Sequence, residues 1–237
     1  MKTKNSIVAL LTCFLFVMTL PFSALAETVP EEDPFAVALN PARDYLIIVD
    51  NEHPYEFGGD YDQLLLPDVI NDPDVDGVAT PIEKAASLAF GQLQVALWKK
   101  GMTVGLLSAY RTYEDQDWVY NYYSKIDGWE HTPKAGYSEH HTGLLLNVMI
   151  LYPGDDGEEI WYTETAERQK TIPFFKLLHE TLADFGFIDR YPAGKEDITG
   201  MPCLPYLIRF VGSSEVAHAI MDNGLCLEEY VAANTEK

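Results

Sequence analysis

The segment that decides the fold is GYSEHHTG, at residues 136–143 of a 237-residue chain. It carries two histidines, a glutamate, a serine and a threonine between two glycines. The apolar run LLLNVMIL follows directly at residues 144–151. Because both alternating sets of its side chains are apolar, this run predicts a central strand covered on both faces of a sheet. The polar segment therefore leads straight into the predicted core.

Mixed secondary structure surrounds this strand. Periodicity and end signals predict helices at Pro81–Lys100, Tyr113–Ile126, Thr163–Phe185 and Ser213–Asn223, and further strands at Tyr45–Val49, Thr103–Leu107 and Tyr206–Val211. The elements follow no strict βαβ order, which predicts one α+β domain over residues 43–232. Residues 27–42 are predicted to form an exposed lead-in, and residues 233–237 a short tail.

The first 26 residues have the pattern of a signal peptide. Lys2 and Lys4 precede an apolar stretch, and the small-residue site Ala24-Leu25-Ala26 ends it. This pattern predicts export with cleavage before Glu27, and an uncleaved membrane anchor is the alternative. No later apolar run is long enough to span a bilayer, so no membrane span is expected after cleavage.

The net negative charge of the chain limits the classes of binding partner that can be expected. The formal net charge is −21, and removal of Lys2 and Lys4 with the signal peptide leaves −23. Nucleic acids and anionic membrane surfaces are excluded as expected partners, because binding phosphate requires a basic surface. Cys203 and Cys226 remain after cleavage, and export permits a disulfide between them. Two separate thiols are equally consistent with the sequence, which does not fix the distance between their Cα atoms.

Three further segments accompany GYSEHHTG. They are SAYRTY at 108–113 with Gln116, FGFIDRYP at 185–192, and RFVG at 209–212 with His218-Ala219 and LEEY at 227–230. In this order and spacing, the four segments resemble the VanY-type D-Ala-D-Ala carboxypeptidases, zinc peptidases that trim peptidoglycan stems. The resemblance covers nearly the whole chain after residue 45. It implies the single-domain D-Ala-D-Ala carboxypeptidase, or hedgehog-like, fold with a small antiparallel sheet flanked by helices.

The resemblance also implies where zinc would be held. In the family, the ligands come from S-x-H-x(6)-D and E-P-W-H, and the glutamate of the second motif is the general base. Here His140 occupies the first ligand position, but Asn147 replaces the aspartate. Leu204 stands at the general-base position and Leu207 at the second histidine. Leucine neither binds a metal nor accepts a proton, so no zinc cofactor is expected.

The substrate-binding part of the family pattern is better retained. By resemblance, Arg111, Gln116 and Ser138 would form the cleft that holds the D-Ala-D-Ala end. Arg111 offers two-pronged hydrogen bonding to a peptide carboxylate. The alternative is that Arg111 pairs with Glu114 or Glu139, while Ser138 caps a turn.

Three functional hypotheses follow. The first is an extracytoplasmic, non-catalytic carboxypeptidase-like protein that binds peptidoglycan stem peptides or a cell-wall enzyme. The second is an active metallo-D,D-carboxypeptidase with a relocated metal site built from His140, His131 and an acid. The third is a decaying paralogue without a selected function, which sequence alone does not separate from the first.

Overall fold

The computed structural model describes residues 37–57, 64–65, 81–126, 129–153, 159–162 and 173–235. Its strands, in chain order, are β1 (Leu64–Leu65), β2 (Ile82–Glu83), β3 (Thr103–Ser108), β4 (Leu145–Pro153), β5 (Glu159–Tyr162), β6 (Phe187–Asp189) and β7 (Leu207–Phe210). Its α-helices are α1 (Lys84–Lys99), α2 (Tyr113–Tyr123), α3 (Pro173–Leu182), α4 (Glu196–Thr199), α5 (Ser214–Met221) and α6 (Leu227–Thr235). Two 3-10 helices lie at Glu139–Thr142 and Ala183–Phe185.

Strand β4 is the centre of an antiparallel sheet. It pairs with β3 along one edge, while β7 and β5 pair with its first and last residues, and β6 completes the sheet beside β7. Leu146, Val148 and Ile150 on one face of β4 are fully buried in the main core, and Leu145 on the other face is also buried. The predicted central strand, the small antiparallel sheet and the α+β class are confirmed.

Helix α1 packs on the main core through its predicted apolar face. Ala86, Phe90 and Leu93 are among its buried residues. The helix begins later than predicted, because Ile82 and Glu83 pair with β1 and the Glu83 side chain then caps it by accepting a hydrogen bond from the Ala86 amide, at 2.9 Å. The end at Lys99 agrees with the predicted stop, and Gly101 follows with a φ of 81° that favours glycine.

The predicted strand at Tyr45–Val49 is wrong. The segment has no regular secondary structure, although Tyr45 and Val49 are buried. Its apolar character reflects burial rather than strand pairing: the Tyr45 ring meets Phe210 edge-on, with centroids 5.7 Å apart. The carbonyl oxygen of Ile47 accepts a hydrogen bond from the Arg209 side chain, at 3.1 Å, instead of joining a strand ladder.

The remaining elements differ mainly at their ends. The first ten residues of the predicted helix Thr163–Phe185 lie outside the described residues, and α3 passes into a 3-10 helix before Gly186. Helix α6 was not predicted. The proposed signal peptide and most of the lead-in also lie outside the described residues. Within the described part of the chain, no helix is long and apolar enough to cross a membrane.

The two cysteines are separate thiols in the structure, which contains no disulfide between them. Cys226 is buried at the start of α6, and burial raises the pKa of its thiol to about 11. Of the two arrangements that the sequence allowed, the structure therefore has the unbridged one.

A buried charge cluster joins the elements around β7. Glu139 accepts hydrogen bonds from Arg190, at 2.6 Å, and from Arg209, at 2.5 Å, and these three side chains are at most 1% exposed. Arg190 also pairs with Glu228 of α6, at 2.7 Å. The cluster thereby ties the 3-10 helix at Glu139 to strand β7, to the segment after β6 and to the C-terminal helix.

We predict that Glu139→Gln lowers the free energy of unfolding by about 3 kcal/mol or more, because it removes the negative charge between two buried guanidinium groups. Chemical denaturation followed by circular dichroism measures this. The matched control is Glu180→Gln on α3, which breaks an exposed pair with Lys176 and should change stability by less than about 0.5 kcal/mol. Equal effects of the two substitutions would contradict a structural role for the cluster.

Candidate functional site

A row of three side chains crosses the sheet at the predicted metal position. Ser108 of β3 is paired with Asn147 of β4, and Asn147 is paired with Leu207 of β7. Directly paired residues on antiparallel strands project from the same face of the sheet. Asn147 and Leu207 therefore lie side by side, as the second and third ligand positions of a shared metal site require. That they are the family's second and third ligand positions stays a prediction from the resemblance.

His140 lies in the 3-10 helix that leads into β4. Its Nδ1 is 2.6 Å from the carbonyl oxygen of Ala109, immediately after Ser108 in the chain. Burial lowers the pKa of His140 well below its usual range, and the nearby charge of Arg111 lowers it further. The imidazole is therefore neutral with its proton on Nδ1, which leaves Nε2 with a lone pair. A backbone carbonyl that holds Nδ1 in this way is a common device for orienting a metal-binding histidine.

The other predicted positions are apolar. Leu207 is buried in a cluster with Leu145 and Tyr191, and Leu204 packs against the same cluster. The Leu204 amide donates to the carbonyl oxygen of Tyr191, at 3.2 Å, and the Leu204 carbonyl accepts from the Leu207 amide, at 2.9 Å. Leu204, at the predicted general-base position, and Leu207 thus lie in a tight turn, and their side chains extend the hydrophobic cluster. Neither leucine can act on water or on a metal.

The residues present do not fit a catalytic zinc ion. Such a site needs three protein ligands, but this one offers His140 Nε2 and the neutral amide oxygen of Asn147. That Asn147 oxygen is buried and has no hydrogen-bond partner among the residues that the structure describes. Across the described ranges, no group of three or more His, Cys, Asp or Glu side chains is placed to hold a metal. No step of a metal-dependent reaction is therefore derived for this site.

His141 has a different role from its neighbour. Its Nδ1 donates to the carbonyl oxygen of Arg111, at 2.8 Å, and its Nε2 accepts from the amide of Gly136, at 2.9 Å. Phe57 packs against the imidazole, with ring centroids 4.7 Å apart. With both ring nitrogens hydrogen-bonded to backbone, His141 joins the segment at Arg111 to the loop at Gly136. No role for His141 was predicted from the sequence.

Arg111 is oriented by two neutral partners. Its Nε donates to Ser108 Oγ and its Nη1 donates to Gln116 Oε1, both at 3.1 Å. Gln116 is fully buried and is itself held by a hydrogen bond to the carbonyl of Pro133, at 2.7 Å. Gln116 therefore lies behind Arg111 and positions it, rather than forming an exposed wall of the cleft.

In the described part of the chain Arg111 forms no ion pair with a carboxylate, although the nearby charge of Asp115 acts to raise its pKa. The predicted alternative, an ion pair with Glu114 or Glu139, is not formed, and Glu139 pairs with the two buried arginines instead. Burial lowers the pKa of Arg111 to about 10, so the guanidinium is still charged at neutral pH. A positioned, partly desolvated cation of this kind favours an anionic ligand.

Ser138 lies at the start of the 3-10 helix and is buried. It occupies the N-cap position, but its side chain makes no capping hydrogen bond. The alternative in which Ser138 caps a turn is therefore not what the structure shows. His131, which the relocated metal site would need, is exposed in the loop between α2 and this 3-10 helix.

Comparisons with known proteins agree on one family. The family model described as VanY, D-alanyl-D-alanine carboxypeptidase, matches residues 80–213. YodJ of Bacillus subtilis, which is named as a carboxypeptidase, is 31% identical over 74% of this chain and 63% of its own length. A D-alanyl-D-alanine carboxypeptidase of Enterococcus faecalis is 36% identical over 48% of this chain and 35% of its own length. The chain thus spans less than two thirds of these curated relatives.

The chain is also similar to solved structures of carboxypeptidases. The LdcB LD-carboxypeptidase, whose structure concerns peptidoglycan recognition, has a TM-score of 0.64 at 28% identity, covering 78% of this chain and 84% of its own. VanYB in complex with D-alanine-D-alanine has a TM-score of 0.59 at 27% identity, covering 80% of this chain and 98% of its own. A VanY mutant from the VanB-type resistance cassette was solved with Zn(II) and has a TM-score of 0.57 at 27% identity.

We predict that the triple variant Asn147→Asp, Leu204→Glu and Leu207→His binds stoichiometric zinc, because it supplies two anionic or imidazole ligands beside His140. Metal analysis after dialysis measures this, with circular dichroism as the check on folding. The control adds His140→Ala to the triple variant and should lose the metal. A folded triple variant without zinc would show that these positions do not converge.

Proposed function

The chain belongs to the VanY family of D-alanyl-D-alanine carboxypeptidases, and from this we propose that it is an exported protein that binds peptidoglycan stem peptides without hydrolysing them. One observation carries the proposal. Hydrogen bonds to Ser108 and Gln116 hold the guanidinium of Arg111 in place. The predicted positions of a metal ligand and of the general base carry Leu207 and Leu204 instead. Binding chemistry is retained beside a centre that lacks the groups for hydrolysis.

Arg111 supplies the main attraction. A stem peptide ends in a carboxylate, which accepts hydrogen bonds from a guanidinium strongly because both groups are charged. Ser108 and Gln116 accept hydrogen bonds from Nε and Nη1 of Arg111. Among the described residues Nη2 has no hydrogen-bond partner, so Nη2 and the positive charge remain for the ligand. Since the whole chain has a charge of −21, this local cation is the feature that would draw an anionic group into the cleft.

Hydrolysis of the peptide would require groups that activate a water molecule as the nucleophile. In a zinc peptidase the metal lowers the pKa of that water and a carboxylate accepts its proton. Leu204 cannot accept a proton, and the apolar cluster with Leu207 gives water no partner. His140 Nε2 and the Asn147 oxygen remain as hydrogen-bonding groups, which suit a neutral peptide amide rather than a metal.

The place of action follows from the N-terminal pattern. Residues 1–26 read as a signal peptide, and export brings the protein to the cell envelope, where stem peptides occur. A cell-wall enzyme is a second partner compatible with a non-catalytic role. Nucleic acid is not, because the acidic chain repels phosphate.

A working metallo-D,D-carboxypeptidase is the second candidate. The observation in its favour is that His140 keeps the neutral, carbonyl-oriented state of a metal ligand. It would need two more ligands and a base from outside the family positions. Zinc-dependent release of D-alanine by the purified protein would establish this candidate and overturn the non-catalytic one.

We predict that Arg111→Ala weakens binding of a pentapeptide stem ending in D-Ala-D-Ala by tenfold or more, because a charge-assisted pair is lost. Isothermal titration calorimetry measures this, with a tetrapeptide stem ending in a single D-Ala as a parallel ligand. Lys134→Ala is the control for general electrostatics, since Lys134 is an exposed cation near the cleft, and should change affinity less than about twofold.

A modified ligand makes the test sharper. Amidation of the peptide's C-terminus removes the carboxylate, so it should weaken binding to the natural protein but have little further effect on Arg111→Ala. Additive effects would show that Arg111 contacts some other part of the peptide. Equal binding of the carboxylate ligand by the natural protein and Arg111→Ala would remove Arg111 from its proposed role.

A further inference from the structure

Helix α2 and the loop after it carry a set of large aromatic side chains that take no part in the candidate site. Trp118, Tyr122, Tyr123 and Trp129 are joined by ring contacts, and we call them the α2 aromatic surface. Trp118 is 61% exposed, Tyr122 55% and Trp129 47%. The rings of Trp118 and Tyr122 are parallel within 5°, with centroids 5.4 Å apart. Tyr123 contacts both Tyr122 and Trp129.

The fold does not explain this surface. Gln116 is the one buried residue of α2, so the aromatic rings do not attach the helix to the core. The helix is instead held through Gln116, which hydrogen-bonds Arg111 and the carbonyl of Pro133, and a capping box between Thr112 and Asp115 stabilises its first turn. Trp118 and Tyr122 are four residues apart and therefore share one helix face. A contiguous exposed aromatic face of this kind marks an interaction site.

The chemistry around the rings favours a neutral, hydroxyl-rich ligand. Glu114, Asp117 and Asn121 project from the same helix, and Asn121 donates to the Asp117 carboxylate at 3.0 Å. These carboxylate and amide groups would repel a polyanion but accept hydrogen bonds from hydroxyl groups. Tryptophan and tyrosine offer flat apolar faces for the C–H face of a pyranose ring. Together these features describe a saccharide-binding surface.

The α2 aromatic surface lies at a distance from Arg111 that a stem peptide attached to a glycan can span. Gln116, which holds Arg111, lies in the first half of α2, and Tyr122 lies near its end. From Gln116 to Tyr122 the helix rises roughly 9 Å at 1.5 Å per residue, and the path from its buried face to its exposed face is longer. An extended five-residue peptide spans roughly 17 Å. A stem whose carboxylate meets Arg111 would therefore bring its sugar-bearing end to a distance that the α2 aromatic surface can reach.

We propose that the α2 aromatic surface binds the glycan strand of peptidoglycan by stacking pyranose rings on Trp118 and Tyr122. The position of the glycan strand relative to Arg111 rests on the proposed function, because it assumes that the stem peptide binds there. Binding of the sugar to the aromatic rings does not depend on that assumption. The protein would then hold one glycan strand and its peptide stem at two separate sites along α2, with Gln116 on the buried face of the helix and Trp118 and Tyr122 on the exposed face.

The test uses glycan strands freed of their peptide stems, titrated against the purified protein. The double variant Trp118→Ala with Tyr122→Ala should bind them at least tenfold more weakly than the natural protein. Trp98→Ala on α1 is the matched control, because Trp98 is 70% exposed outside this surface, and it should bind like the natural protein. Absence of glycan binding, or equal binding by the double variant, would overturn the proposal.

Two further arms separate this proposal from the proposed function and from other occupants. Arg111→Ala should keep glycan binding, and the double variant should keep binding of short stem peptides. Stem binding without glycan binding overturns only the glycan site, and the reverse overturns only the stem site. A dimer that the double variant abolishes in sedimentation, or adsorption of the surface to phosphatidylcholine vesicles in place of glycan, would also overturn it.

Discussion

The rest of the structure depends on the buried carboxylate of Glu139. It is paired with Arg190 and Arg209 in a region that excludes water, so each charge is stable only while the others are present. Glu139 lies between Ser138 and His140, and the cluster therefore fixes the segment that faces the cleft. The same carboxylate joins strand β7 to the segment that follows β6. A frame held in this way keeps its shape without any metal.

The residues that hold the fold together are different from those at the predicted metal positions. The fold and Arg111 can therefore be retained while the metal positions carry other residues. The metal positions at Asn147 and Leu207 lie on the sheet face, where an apolar residue packs at least as well as an unliganded polar one. Leu204 and Leu207 accordingly extend an existing hydrophobic cluster. Arg111 depends on neither of them, because Ser108 and Gln116 hold it. The cation is therefore independent of the residues at the predicted metal positions, and this is the basis for proposing binding without hydrolysis.

Local sequence patterns predicted the parts of the fold that depend on local physics. The strand predicted at 103–107 ends one residue later at Ser108, and the central strand predicted at 144–151 is β4, Leu145–Pro153. The failure at Tyr45–Val49 arose because burial and strand pairing favour the same apolar residues. In the site, the resemblance gave the register of Asn147 and Leu207. The role of His141 was not predictable, since its partners are backbone groups distant in sequence.

One measurement tests the central claim most directly. The purified protein is incubated with a pentapeptide stem ending in D-Ala-D-Ala, once with saturating zinc and once with a metal chelator, and both binding and peptide integrity are followed. The account predicts the same affinity in both conditions and recovery of the intact pentapeptide. Release of D-alanine that requires zinc would contradict it.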